Sequence, residues 1–133
     1  RRSVHLSIDG RDWKQQRVNQ WARATGPLEP AVAGGGRTWG EQVGNVADSL
    51  TWWLERNHHL VPVRTAVLVL HERARVVHCV DPGVDLVGTS PHHLLAAIAE
   101  RPDPIDAGTR DAVARAIRDD HQHRTRRRAR ART

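Results

Sequence analysis

Val4, Leu6 and Ile8 alternate with His5 and Ser7 at the start of the chain. That period of two sets one side of a strand against a core and the other in water. Asp9-Gly10 ends this strand. Trp13, Val18, Trp21 and Ala22 then fall on one face of a predicted helix, with Asp12 as its cap and Gln15 at the capping-box position. Gly26-Pro27 is its stop signal. Leu28 to Gly36 is rich in Pro, Ala and Gly and reads as a connection. Its triple glycine lacks the preceding strand and the spacing that a phosphate-cradling loop requires.

Thr38-Trp39-Gly40-Glu41 has the form of a capping box. Behind it Val43, Val46, Ala47, Leu50, Trp53 and Leu54 recur at steps of three and four, predicting an amphipathic helix to about Asn57. Val61 to Leu70 follows, and its Ala66–Leu70 run has no polar residue, the pattern of a strand covered on both faces. Arg75 to Val80 is a second strand, Asp81-Pro82-Gly83 a turn, and Val84 to Val87 a third. Ser90 and Pro91 open another helix as N-cap and first helical residue, with Leu94, Leu95, Ala97 and Ile98 on its core face and Pro102 at its end. A last helix is expected from about Asp106 to His121, carried by Ala112, Val113, Ala116 and Ile117. Three regions result: 1–37, a strand, helix and connection; 38–120, the α/β body; and 121–133, a basic tail expected to be disordered.

Charge sharpens this division. The chain has 21 basic and 15 acidic residues among 133. All of its net charge of +6 lies after Asp120, where Arg124, Arg126, Arg127, Arg128, Arg130 and Arg132 occur without one acid. The body is neutral, so the pI of about 11.3 belongs to the tail. Such a tail suits phosphate contacts that are independent of sequence and sensitive to salt, and DNA or another nucleic acid is the expected partner. The length suits one core. The single cysteine, Cys79, excludes an internal disulfide and fits a cytoplasmic protein. No apolar run is long enough for a membrane span, and a membrane is not an expected partner. The chain opens Arg1-Arg2 without Met, as a fragment or a processed product does.

The stretch from Glu41 to about Asp120 resembles the C-terminal half of the nuclease-related domain, NERD. The resemblance rests on the helix GNVADSLTWWLERN, the strand VPVRTAVLVL, the pair ARVVHCVD and DLVG, and the closing SPHHLLAAIAERPDPIDAGTRDAVARAI. The segment LSIDGRDWKQQ looks like the lead-in to that half. The resemblance implies an α/β, partial restriction-endonuclease-like layered fold of the PD-(D/E)XK type, with a buried central strand flanked by helices. It also implies a catalytic acid and an acid-x-Lys on adjacent strands that bind Mg²⁺. Those strands are expected upstream of Arg1, in a missing N-terminal part of the same domain that would be a partner of this one. Asp12-Trp13-Lys14 is the one place where this chain spells the string. At a predicted helix start it reads as a cap and a surface lysine. No catalytic residue, metal ligand or cofactor is therefore assigned to the chain, and Mg²⁺ is implied only with the missing strands. The expectation is a fragment associated with DNA processing. The alternative is a non-enzymatic accessory or interaction domain with an Arg-rich nucleic-acid-binding tail.

Other candidates read more simply. His58-His59 and His92-His93 are adjacent pairs, which do not face one another on a helix. His71, His78 and Cys79 lack a ligand grid. Asp81 and Asp85 fit turn chemistry. Trp52 lies off the apolar stripe of its helix and reads as a packing residue, with base stacking as the alternative.

Overall fold

The computed structural model describes residues 3–33, 35–70, 73–102 and 104–132. Its first strand, β1 (Ser3–Asp9), forms as the alternation predicts. The chain then reverses through Gly10 and Arg11. Gly10 takes φ +59°, the positive dihedral that type II′ hairpins need at their first central position. The return strand is β2 (Asp12–Val18), paired antiparallel with β1 so that Asp9 faces Asp12 and Ile8 faces Trp13. The expected helix over this stretch is thus a strand. The hairpin turn outweighs the loose helical spacing, and Trp13 and Val18 are both buried while Trp21 is exposed. Gly26 ends no helix; its carbonyl accepts from the Gln16 side chain at 3.2 Å. A two-residue strand, β3 (Glu29–Pro30), pairs with β2 inside the predicted connection.

Thr38 caps α1 (Trp39–Arg56) as expected, its Oγ1 accepting from the Glu41 N–H at 3.2 Å, and Asn57 closes the helix. Next come β4 (Ala66–Leu68), β5 (Ala74–Val80) and β6 (Leu86–Gly88). Helix α2 (Pro91–Glu100) starts on the Ser90 cap, and α3 (Ala107–Ala131) on Asp106, whose carboxylate accepts from Thr109 N–H at 2.7 Å. None of the described helices is long and apolar enough to cross a membrane.

The strands form a mixed four-stranded sheet in the order β3-β2-β1-β5, with β5 parallel to β1, and a separate parallel pair of β4 and β6. The described residues are therefore mixed α/β, with three helices. Val61–Leu70 does not supply a central strand covered on both faces. Only Ala66–Leu68 is extended, its one partner is β6, and Leu70 is 80% exposed. In the larger sheet β1 lies between β2 and β5, and its Leu6 and Ile8 are fully buried. They meet Trp13, Ala31, Val67, Val69 and Val84 in one core, with Trp39 and Val43 of α1 packed against it. Burying each large side chain contributes roughly 1.5–3 kcal/mol. The register sets His5, Ser7 and Asp9 on the opposite, polar face, beside Asp12, Lys14 and Gln16 of β2.

Asp85 ties β4 to β6. Its Oδ2 accepts from the Thr65 N–H at 2.7 Å and the Thr65 hydroxyl at 3.2 Å, and Arg101 lies 3.7 Å from Oδ1. The Thr65 N–H, then the hydroxyl and the charges of Arg101 and Arg64, hold the carboxyl below its usual range against a smaller opposing desolvation. A depressed folded-state pKa stabilises the fold above the unfolded value, and that contribution is lost as pH falls through the folded value. Urea unfolding of Asp85→Asn should thus show a deficit against the unmutated chain at pH 7 that shrinks by pH 3. An equal deficit at both pH values would rule out this role.

Candidate nucleic-acid interface

Helix α3 does not stop where its apolar pattern stops. It runs to Ala131, through the segment expected to be disordered. Arginine and alanine are strong helix formers, so propensity carries the helix on after amphipathicity ends. Cations in the last turns also suit the helix dipole. Arg124, Arg126, Arg127, Arg128 and Arg130 are helical, Arg132 is the C-cap, and all six are exposed.

At about 100° per residue, Arg124, Arg127 and Arg128 fall on one side of α3 and Arg126 and Arg130 on the other. The charge wraps the helix rather than forming a stripe. Arg124 with Arg128, and Arg126 with Arg130, are like-charge pairs four residues apart, each unfavourable by a few tenths of a kcal/mol. Asp120 relieves one end of this, its Oδ2 lying 2.9 Å from Arg124 Nε. A polyanion would relieve the rest.

From its middle turns to Arg124 the same helix shares a groove with α1. Ile117, Asp120 and Arg124 line an open groove of about 680 Å³ against Asp48, Trp52 and Trp53. Trp52 is 58% exposed, and the Arg56 guanidinium sits over its ring, 4.6 Å from the centroid. The groove was not visible in the sequence, because its walls come from helices some seventy residues apart. The only trace of it was the position of Trp52 off the apolar stripe of α1.

The acid-x-Lys string sits differently from its expected place at a helix start. Asp12 and Lys14 are on β2, with Asp9 directly across on β1. Lys14 Nζ lies 3.5 Å from Asp12 Oδ2, and both side chains are substantially exposed. Among the described residues no three His, Cys, Asp or Glu side chains come together as a metal-ion site. His92 and His93 stand at the start of α2 with ring centroids 5.9 Å apart, His78 is paired with Ser7 across β5 and β1, and Cys79 is exposed. His71 lies outside the described residues. Asp81 takes φ +46° in its turn. No protein-family model, curated protein or solved structure matches the chain.

Proposed function

We propose that this chain is a nuclease-related α/β domain that holds nucleic acid through the arginine-rich end of α3 and does not itself cut the strand. The observation that carries the reading is that end of the helix: six exposed arginines over nine residues, with no acid among them, five helical and the sixth its C-cap. Phosphate contacts of this kind position a nucleic acid without reading its sequence. The restriction-endonuclease-like core and the cytoplasmic setting belong to the same proposal. An antiparallel hairpin, a central strand β1 and α1 packed on one sheet face are compatible with such a core.

One observation favours a second reading, that of a metal-dependent nuclease. Asp12 and Lys14 share a strand, and Asp9 stands on its neighbour. Carboxylates in that arrangement would hold Mg²⁺, which when bound stabilises charge at a phosphate. The exposure of both side chains and their pairing with each other speak for the silent form.

Incubating the purified chain with supercoiled plasmid and Mg²⁺ separates the two. Retarded but intact plasmid is the expected result. Nicking that disappears in Asp12→Ala would establish the nuclease instead, and plasmid neither retarded nor nicked would remove both readings.

A further inference from the structure

The groove between α1 and α3 joins two features that a generic phosphate binder does not need together. It is lined by the aromatic and apolar Trp52, Trp53 and Ile117 and by the charged Asp48, Asp120 and Arg124. Trp52 and Arg56 stand one helical turn apart, so the cation over the indole holds the ring in place. An exposed indole braced in this way is a stacking platform for a planar ring. Arg124 marks the end of the groove, and Arg127 and Arg128 continue its side of α3. Any ligand that leaves the groove in that direction meets a run of cations.

The charges assign the occupant. Asp48 repels a phosphate from the groove, Asp120 and Arg124 offset one another across 2.9 Å, and Arg127 and Arg128 attract a phosphate beyond its end. The carboxylates are acceptors only. They suit the amino and imino N–H groups on the Watson–Crick edge of a base, which are available only when the base is unpaired. A purely apolar partner would have no use for the cations, and a sulfated or phosphorylated polymer without rings would have none for Trp52.

We propose that this groove receives one unpaired base of a single-stranded nucleic acid, stacked on Trp52, with the adjoining phosphates carried onto Arg124, Arg127 and Arg128. The proposal rests on the reading of α3 as the phosphate-binding element and adds to it a preference for single strands.

Fluorescence anisotropy of the full chain with three labelled 20-mers tests it: a mixed-sequence single strand, the same sequence as a duplex, and an abasic deoxyribose-phosphate strand. The unmutated chain should bind the single strand more tightly than the abasic strand at equal salt. Alanine substitution of a base-stacking aromatic costs about 1–3 kcal/mol per base, so Trp52→Ala should weaken single-strand binding by about 5- to 150-fold. It should leave abasic and duplex binding, and their salt dependence, unchanged. Trp52→Phe should restore much of the loss, and urea unfolding should show that both variants fold. Equal single-strand affinity for the unmutated chain and Trp52→Ala overturns the groove proposal while leaving the phosphate reading intact. Failure to bind any of the three strands overturns both. A dimer that dissolves on Trp52→Ala makes the groove a subunit interface and overturns the proposal alone.

Discussion

Replacing Arg126, Arg127, Arg128 and Arg130 with glutamine should abolish most of the salt dependence of duplex binding. If all six arginines meet phosphates, the association constant falls by about 10³ between 50 and 200 mM salt. With two contacts left the same change costs only about tenfold. Affinity at 50 mM should itself drop by orders of magnitude. Glutamine is close to arginine as a helix former, so α3 keeps its conformation and loses only charge. Removing like-charge neighbours should, if anything, raise thermal stability by a small amount. A salt titration by anisotropy reads the slope, and circular dichroism checks the helix. An unchanged slope would place the phosphate contacts elsewhere on the protein.

The second large effect concerns folding. Trp13 is 1% exposed and lies against the first turn of α1, in the core that Trp39 and Val43 join. A Cβ on Gly40 would stand 2.7 Å from Trp13 Cζ2 and 2.8 Å from Cε2, nearer than nonbonded carbons approach. Trp13→Ala should therefore cost about 3–5 kcal/mol by emptying the contact. Gly40→Ala should cost about 1–3 kcal/mol by overfilling it. Against a typical stability of about 5–15 kcal/mol the first is a large fraction. The two sites are coupled, since the methyl of Gly40→Ala strikes the indole itself. In a Trp13→Leu background Gly40→Ala should cost less than it does alone. Urea midpoints for the two single variants and the double give the coupling, and strict additivity would contradict this account of the contact.

Local signals were the most legible. The alternation in Val4–Ile8, the Thr38 cap and the Ser90-Pro91 start each act within a few residues, and each appears where the sequence put it. β2 is not legible as a strand, because Trp13, Val18 and Trp21 satisfy helical spacing by coincidence. The deciding fact, the pairing of β2 with β1, is a tertiary one. β4 was read as a central strand because an apolar run reports burial but not the identity of its neighbours. The end of α3 is not legible from amphipathicity, because an arginine-alanine helix has none. The arginines themselves were plain from composition, whereas the groove beside them depends on how two distant helices meet.

The parallel pairing of β1 with β5 also bears on how the chain reaches its fold. The β1–β2 hairpin closes through a two-residue turn and can form within about 1–10 μs. The other side of β1 must wait for Ala74–Val80, which arrives some seventy residues later. Until then β1 presents a bare edge with Leu6 and Ile8 uncovered. Long-range parallel pairing is a slow step that leaves a chain open to aggregation. The capture of β5, rather than the formation of any helix, is thus the event on which the yield of folded protein turns.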